Sequence, residues 1–443
     1  MRLEKIFVRH YPPGLRLRYR TSAGETKHST IDLLSLGPET NLRLLVNQLI
    51  EKEPLLTKSH SGLLTTILHA LIDKQCSLNA DDGDFALDKT LRPHAQPMTN
   101  FAISKNAHML VTSSYDKTAR LFRRSAKCRA DEKVVLTGHD GVVYCVALNH
   151  PYSNLVLTGA FDKTCRLWDT ATGKSLRTFS GHEGEVVAVA FNSRGTHFGS
   201  CSMDCTATLW DTEAGTSVFD LVGHTAEVAT FAFDTTSSLM ATGSAHHCLR
   251  GTNARVGSCD ASVRLWDARY GACFRSFDAH LADIATVSFN HQSNLLLSAS
   301  ADGSARVWDV HNGKPLFTFQ DHIGEVTDAC FNATGSLLAT SGQDGSIYVY
   351  DTLHGHKRCI CRGHKGEVTK ITFNRQGSRI VSAGADKTVR VWDTHSGNCV
   401  QVLDGHDDHA FGCQVSYDGK TIVTGSHDNT VRFWVTSDGN EKQ

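Results

Sequence analysis

A histidine that recurs eight times constrains the fold of this 443-residue chain more than any other feature of its sequence. The members of the set are His94, His139, His182, His224, His280, His322, His364 and His406. Their separations are 45, 43, 42, 56, 42, 42 and 42 residues, and an aromatic residue follows each of them, at 28 residues in six cases. The aromatic residues are, in order, Phe122, Trp168, Trp210, Trp266, Trp308, Tyr350, Trp392 and Trp434. Such self-similarity predicts a repeat architecture, in which each unit buries its apolar face against its neighbours.

Two polar positions keep the same period. An aspartate stands six residues before each aromatic residue, at Asp116, Asp162, Asp204, Asp260, Asp302, Asp344, Asp386 and Asp428. A serine or threonine stands four residues before seven of these aspartates, and Thr242 holds the place in the fourth unit. The side chains of histidine, serine or threonine, aspartate and tryptophan can satisfy one another's hydrogen bonds and can therefore be buried together. We predict structural tetrads rather than catalytic triads, with two complete examples: His182, Ser200, Asp204 and Trp210, and His364, Ser382, Asp386 and Trp392.

Each unit also carries a strand-like pattern. Short strand-like runs, such as the apolar one over 186–191, are separated by turns with glycine or aspartate, which predicts a four-stranded antiparallel sheet. Gly-His and Trp-Asp pairs at this period, for example Gly181-His182 with Trp210-Asp211, resemble those of the WD repeat family, whose units are the blades of β-propellers. The resemblance implies an all-β propeller of eight blades.

The two ends of this array must meet if the blades are to close into a ring. The last unit ends nine residues after Trp434, which is too soon to form its own outer strand. Residues 85–91, just before His94, lie where a preceding unit would place that strand, so we predict that they pair with the last blade and cover its edge. The predicted domains are a module over 1–80, the propeller over 85–434 and a short tail over 435–443.

Residues 1–80 follow a different pattern. Two alternating runs flank Pro12-Pro13-Gly14 and lead to a third over 27–34, which predicts a short β-meander, and two amphipathic helices follow. This small α+β module contains 11 Lys and Arg against 7 Asp and Glu, whereas the rest of the chain contains 34 against 39. The two parts are therefore weakly complementary in charge.

The N-terminal module also narrows the resemblance. The sequences HYPPG at 10–14 and IDLLSLGP at 31–38, ahead of eight WD units, resemble the dynein assembly factors with WD repeats. The resemblance implies a non-catalytic cargo adaptor that links preassembled outer-arm axonemal dynein to a B-complex subunit of intraflagellar transport. It also implies a place in the cytoplasm and in the cilium or flagellum, including the basal body region. The alternative is a WD substrate receptor of a ubiquitin ligase, or another multiprotein scaffold, that docks through the N-terminal helices.

The sequence offers no constellation for catalysis. It has no GxxxxGKS or GxxxxGKT phosphate loop, no HExxH metal pair and no GxSxG nucleophile turn, so we expect no catalytic residue, no cofactor and no metal site. A net charge of −1 gives no global attraction to nucleic acid or to a membrane. No apolar run reaches about 18 residues and no signal peptide is recognisable, so we expect a soluble, non-secreted monomer with reduced cysteines.

A further pattern lies three residues after each repeat histidine, where the first strand of a blade begins at the rim of the central channel. Five consecutive units have an acidic residue there, and we name this set the acidic arc: Glu185, Glu227, Asp283, Glu325 and Glu367. Like charges beside a low-dielectric channel are unfavourable unless they are countered, which indicates a basic partner segment or a cation and excludes nucleic acid. The alternative is internal neutralisation by the arginines two residues before the aromatics: Arg120, Arg166, Arg264, Arg306, Arg390 and Arg432.

The fourth unit carries 14 extra residues, 245–258, between its second strand and Asp260. The candidate binding residues of this insertion are His246, His247, Arg250 and Arg255. Two interpretations are open: a surface loop that contacts a partner on the histidine-bearing face, or a splice or gene-model variant that is tolerated because surface insertions cost little. Adjacent histidines point apart, which disfavours a metal site there.

Overall fold

The computed structural model describes residues 2–9, 14–20, 26–33, 42–53, 56–57, 60–79, 83–124, 132–150, 152–244, 260–277 and 280–436. These residues form two compact units, one within 1–84 and the other within 85–437. Each unit has its own hydrophobic core. Neither of the two helices in the described part of the chain has the length and apolarity needed to cross a membrane.

The smaller unit combines an antiparallel sheet with two helices. Its elements are β1 (Arg2–Arg9), β2 (Gly14–Arg20), β3 (Thr26–Asp32), α1 (Leu42–Lys52) and α2 (Ser61–Asn79). β2 is the central strand of the sheet and buries Leu15 and Leu17. Leu64 and Leu68 of α2 join them in one core, because residues spaced i to i+4 lie on the same side of a helix. The predicted α+β module ahead of the propeller is confirmed.

The larger unit is a β-propeller of eight four-stranded blades, which confirms the predicted fold class. In seven blades, four strands that are consecutive in the chain lie side by side in the sheet. The first strands of neighbouring blades contact one another around the ring, so they form the wall of the channel. The eighth blade takes its fourth strand from the start of the propeller.

The strands of the propeller are short and nearly equal in length. The first strands are β5 (Met98–Ile103), β9 (Val143–Leu148), β13 (Val186–Phe191), β17 (Val228–Phe233), β21 (Ile284–Phe289), β25 (Val326–Phe331), β29 (Val368–Phe373) and β33 (Ala410–Val415). The second strands are β6 (Met109–Ser114), β10 (Leu155–Ala160), β14 (His197–Ser202), β18 (Leu239–Ser244), β22 (Leu295–Ser300), β26 (Leu337–Gly342), β30 (Arg379–Gly384) and β34 (Thr421–Ser426). The third strands are β7 (Ala119–Arg123), β11 (Thr164–Asp169), β15 (Thr206–Asp211), β19 (Val263–Asp267), β23 (Ala305–Asp309), β27 (Ser346–Asp351), β31 (Val389–Asp393) and β35 (Val431–Thr436). The fourth strands are β8 (Glu132–Leu136), β12 (Ser175–Ser180), β16 (Ser217–Val222), β20 (Cys273–Phe277), β24 (Pro315–Phe319), β28 (Lys357–Arg362), β32 (Cys399–Leu403) and, in the last blade, β4 (Phe85–Leu91).

The joint between the two ends of the propeller is a paired strand rather than an open edge. β4 pairs antiparallel with β35, from Phe85 opposite Thr436 to Leu91 opposite Val431. The side-chain amide of Gln401 accepts from Phe85 N and donates to Phe85 O, both over 2.8 Å. These hydrogen bonds tie the closing strand to the neighbouring seventh blade as well as to the eighth.

The apolar cores of the propeller lie between blades. Trp210 of the third blade packs in one core with Leu157 of the second blade. Phe122 of the first blade packs in the same way with Phe433 of the eighth blade, so the arrangement continues across the joint. Each repeat aromatic residue therefore holds its blade against the preceding one.

Candidate functional site

The predicted tetrad of the third blade brings together residues from separate parts of the sheet. His182 precedes β13, Ser200 lies in β14, Asp204 lies in the turn after β14, and Trp210 lies in β15. His182 Nδ1 lies 2.9 Å from Asp204 Oδ2, and His182 Nε2 lies 2.7 Å from Ser200 Oγ. Trp210 Nε1 donates to Ser200 Oγ over 2.8 Å. The four side chains form one continuous hydrogen-bonded chain.

The chemistry of the donors fixes the direction of the protons in this chain. An indole N–H only donates, so Ser200 Oγ accepts from Trp210 and directs its own proton to His182 Nε2. The other ring nitrogen of a neutral histidine is then the donor to the Asp204 carboxylate. Every group is satisfied, and no nucleophile or base is left for a substrate. The geometry is that of a structural network.

The same geometry recurs around the ring. In the second predicted tetrad, Ser382 Oγ lies 2.7 Å from His364 Nε2 and accepts from Trp392 Nε1 over 2.8 Å. His364 Nδ1 lies 3.0 Å from both carboxylate oxygens of Asp386. Across the eight blades, the distance from histidine Nδ1 to the aspartate is 2.7–3.1 Å. The distance from histidine Nε2 to the serine or threonine oxygen is 2.7–2.9 Å.

Two blades depart from the pattern at the aromatic position. Phe122 in the first blade has no polar atom to donate. Tyr350 in the sixth blade donates its hydroxyl to Asp321 Oδ2 over 2.7 Å. Asp321 stands directly before the repeat histidine, where most units have glycine, and it also pairs with Lys357 at 2.5 Å. In the sixth blade, the polar atom of the altered aromatic residue is thus hydrogen-bonded to the residue before the repeat histidine.

The tetrad aspartates are held in the ionised form. Burial alone would raise the pKa of Asp204, but the hydrogen bond from Thr206 and the charge and hydrogen bond of His182 lower it to about 2. The backbone N–H of Glu183 acts in the same direction. Burial lowers the pKa of three tetrad histidines in spite of their carboxylate partners: His94, His364 and His406. In these three tetrads burial therefore favours a neutral histidine beside a charged carboxylate.

The acidic arc lies at one mouth of the channel, directly before the first strands of blades three to seven. The side chain of Glu325 is exposed, and the other four members are partly exposed. Within the described part of the chain, no cation pairs within 4.0 Å with Glu185, Glu227, Glu325 or Glu367. At these four positions the arc therefore presents negative charge that no described cation neutralises by direct pairing.

Two of the arginines proposed for internal neutralisation of the arc pair with other carboxylates. Arg120 lies 3.4 Å from Asp116, and Arg390 lies 3.9 Å from Asp386. Both partners are tetrad aspartates. Arg120 also donates to the carbonyl of Pro93, next to the repeat histidine. These arginines point into the blade and support the tetrads, which the spacing alone did not indicate.

Two exposed apolar side chains lie beside the arc, and the sequence analysis missed them. Leu281 is 87% exposed and Ile323 is 86% exposed. Each directly follows a repeat histidine and precedes an acidic member by two residues, Asp283 and Glu325. A signal was available, because the other six blades have small or polar residues at this position: Ala95, Asp140, Glu183, Thr225, Lys365 and Asp407. This mouth therefore combines acidic and apolar groups.

The insertion in the fourth unit lies outside the described residues, together with its candidate side chains His246, His247, Arg250 and Arg255. Its flanking strands β18 and β19 pair directly, and Ser244 N donates to Ser262 O over 3.2 Å. His224 Nδ1 lies 2.7 Å from Asp260 Oδ2 on the far side of the insertion. The strands and the tetrad of this blade are thus assembled from the residues on either side.

The described residues offer little for metal or thiol chemistry. None of their His, Cys, Asp and Glu side chains form a group of three or more that could hold a metal ion. Burial raises the pKa of Cys165 to about 12 and also raises the pKa values of Cys145 and Cys201. A thiol nucleophile reacts as the thiolate, so these three buried cysteines are unreactive at neutral pH.

Comparison with known proteins places these features in a family. The family described as "WD domain, G-beta repeat" matches eight segments of the chain: 86–123, 131–169, 173–211, 215–267, 271–309, 313–351, 354–393 and 397–435. The protein named "Dynein assembly factor with WD repeat domains 1" from Mus musculus is 39% identical over 196 residues, which are 44% of this chain and 46% of that protein. The protein of the same name from Danio rerio is 41% identical with the same coverage. The chain thus spans slightly less than half the length of these curated relatives.

Two further similarities concern the repeat itself. A guanine nucleotide-binding protein subunit beta from Arabidopsis thaliana is 33% identical over 144 residues, which are 30% of this chain and 38% of that protein. The crystal structure of the computationally designed Ika8 protein is similar with a TM-score of 0.66 and 26% identity, covering 78% of this chain and 98% of that one. Proteins with different names thus share this repeat, so the presence of the blades does not by itself identify a binding partner.

Proposed function

The chain belongs to the WD40 repeat family, and from this premise we propose that it is a non-catalytic adaptor that takes part in dynein assembly. The blades form a continuous platform, because each is packed against its neighbour and the histidine, serine or threonine, and aspartate of each tetrad are hydrogen-bonded to one another. The groups left for recognition are those at the rim. The proposal therefore depends on what the rim presents.

The acidic arc is the observation that carries this proposal. Its members come from five consecutive blades, so one partner segment that crosses the mouth can meet several of them. Four members, Glu185, Glu227, Glu325 and Glu367, pair with no cation of the described chain, and carboxylates of this kind beside a low-dielectric wall attract positive charge more strongly than the same groups in open water. Leu281 and Ile323 add apolar area to the same mouth. A segment that carries lysine or arginine together with apolar side chains fits this surface.

The relatives are named for dynein assembly, which supports dynein as one partner. We infer that this chain binds outer-arm axonemal dynein and a B-complex subunit of intraflagellar transport, and that it acts in the cytoplasm and in the cilium or flagellum, including the basal body region. An adaptor must hold cargo and carrier at the same time and therefore needs two separate surfaces. The basic module within 1–84 and the rim of the propeller are two such surfaces.

Affinity purification from ciliated cells tests the proposal. The full chain is compared with the double variant Glu227→Lys/Glu325→Lys, which reverses charge at the arc. The matched control is Glu213→Lys/Asp220→Lys, which makes the same change in charge at exposed positions on the outer part of the third blade. We expect the full chain and the control to recover dynein and transport subunits, and the arc variant to lose one of the two.

Two outcomes would contradict the proposal. Equal recovery by the arc variant and its control would exclude the arc as the binding surface. Recovery of ubiquitin-ligase subunits in place of dynein and transport subunits would support a ligase substrate receptor. A second purification, with residues 1–80 deleted, shows which partner depends on the N-terminal module.

A further inference from the structure

The mouth opposite the acidic arc is formed by the turns between the first and second strands of the blades. The first strands begin at the arc, and a six-residue strand is about 20 Å long, so these turns lie at the far end of the channel. The residue two positions after the first strand is not acidic in any blade. In blades seven, eight, one and two, which meet at the joint of the ring, these residues form a set that we name the basic cluster: Arg375, Tyr417, Lys105 and His150.

An aromatic ring lies at the centre of the basic cluster. The guanidinium carbon of Arg375 lies 3.4 Å from the centroid of the Tyr417 ring, and Lys105 Nζ lies 5.6 Å from it. Tyr417 N donates to the carbonyl of Lys105 over 2.7 Å, which fixes the two turns to each other across the joint. Two cations are thus held over one ring by backbone and stacking contacts.

The cluster contains two cationic side chains, Lys105 and Arg375, and no acidic member. Burial lowers the pKa of Lys105, and the charge of Arg375 lowers it further. Burial also lowers the pKa of His150, with the charge of Lys105 as the next cause, and His150 Nδ1 is buried without a hydrogen bond to any described residue. The one acidic residue in these four turns, Asp418, accepts a hydrogen bond from Ser416 Oγ in its own turn. Negative charge supplied from outside would relieve the repulsion among the cations.

We propose that the basic cluster binds an acidic segment of a partner protein, with carboxylates on Lys105 and Arg375 and aliphatic stems on the Tyr417 ring. Guanidinium and ammonium groups form charge-assisted hydrogen bonds with carboxylates. The inference deepens the proposed adaptor function by giving the propeller a second binding surface, opposite in charge to the acidic arc. It rests on the proposed function only in assuming that the ligand is part of a protein. Nucleic acid fits less well, because it needs a row of phosphate contacts and the mouth continues with the uncharged Ser193 and Thr235.

Fluorescence anisotropy with a labelled polyglutamate peptide and the full chain tests the inference. The variant Lys105→Glu/Arg375→Glu is expected to weaken binding by about tenfold or more, because it replaces both cations with carboxylates that repel the glutamates of the peptide. The matched control is Lys174→Glu/Lys314→Glu, which introduces the same charge at exposed lysines in outer turns and should bind like the parent chain. A labelled polyglutamine peptide should not bind. The milder variant Lys105→Gln, at an exposed side chain, should weaken binding by about threefold and is informative if the double variant does not fold.

Three results would overturn the inference. These are an affinity unchanged in both basic-cluster variants, an equal loss in the matched control, and tighter binding of an oligothymidylate or of inorganic phosphate than of polyglutamate. The assay contains no dynein and no transport subunit. A negative peptide assay would therefore not contradict the adaptor proposal, and a negative affinity purification would not contradict peptide binding by the basic cluster.

Discussion

The tetrads and the two mouths of the channel use the same kinds of side chain in opposite ways. In the tetrads, every histidine lies within 3.1 Å of its aspartate, and Arg120 and Arg390 approach the same carboxylates. At one mouth, four acidic side chains have no described cation within 4.0 Å, and at the other, two cations lie over the Tyr417 ring. Position within the repeat thus separates polar groups that stabilise the blade from polar groups available to a partner.

The two regions also differ in how they vary between blades. The histidine and the aspartate of the tetrad are present in all eight units, and the aromatic residue changes in two of them without loss of the blade. The mouths change from blade to blade, with acidic residues in blades three to seven and basic residues around the joint. The fold makes the same demand on every tetrad, whereas a partner that meets several blades at once can use a different side chain on each.

The largest expected effect lies in the tetrads. Trp210→Ala removes a buried indole from the core between blades two and three and leaves Ser200 without its donor. We expect a loss of about 3–5 kcal/mol in the free energy of unfolding, measured by urea denaturation. The comparison variant Glu213→Lys, at an exposed position of the same blade, should change it by less than about 0.5 kcal/mol. A loss below about 1 kcal/mol for Trp210→Ala would show that the tetrads are not the main stabilising layer.

Acid should affect the tetrads in two stages. Burial lowers the folded pKa values of His94, His364 and His406, so the unfolded chain binds more protons below about pH 6.5 and stability falls as the pH drops. Asp204 has a folded pKa of about 2 against 3.8, so its protonation removes about 2 kcal/mol more as the pH falls from about 4 to 2.

Thermal melts across this range measure both stages. Asp204→Asn is the control, because this variant has no carboxylate to titrate and should lose part of the lower stage. A melting temperature that stays constant between about pH 7 and pH 5 would contradict the buried, neutral state of the three histidines.

Ring closure should have a smaller effect than the tetrads. Gln401→Ala removes two hydrogen bonds to Phe85, and we expect a loss of about 1–2 kcal/mol in the free energy of unfolding. Gln376→Ala is the control and should have little effect, because Gln376 lies in the turn between β29 and β30 of the same blade, away from Phe85. A change of the same size in the two variants would mean that the paired strand β4 holds the joint without help from the seventh blade.

The tetrads could be located from the sequence because the spacing of six residues from aspartate to aromatic residue repeats in all eight units, and the spacing of four from serine or threonine to aspartate repeats in seven. His182 and Asp204 are 22 residues apart and Ser200 and Trp210 are 10 apart, so a single strand pattern brings them together. The spacing also placed the acidic arc, because every member stands just before a first strand. It did not show where Arg120 points, because the direction of a long side chain is set by the packing of the blade around it.

The basic cluster shows what the pattern of a single repeat cannot reveal. Lys105 and Arg375 are 270 residues apart in the sequence, and only the closed ring brings their turns together. The side chain that joins them, Tyr417, belongs to a third blade. Charge summed over the whole chain also hides the cluster, because the net value of −1 combines two mouths of opposite sign. The cluster could have been found by comparing the residues at the equivalent turn position of every blade in their order around the ring.

The smallest expected effect is that of charge changes at the mouths on stability. Glu227→Gln and Lys105→Gln should each change the free energy of unfolding by less than about 0.5 kcal/mol, measured by urea denaturation, because surface groups outside paired networks contribute little. Lys105→Gln should even stabilise the chain slightly, because it removes repulsion from Arg375, and added salt should reduce that gain by screening. A loss above about 1 kcal/mol in either variant would place its charge among the stabilising groups and remove the distinction between blade and rim. If the changes stay small, weakened binding by the charge variants at the same positions reports on recognition, because the platform that presents those charges is unchanged.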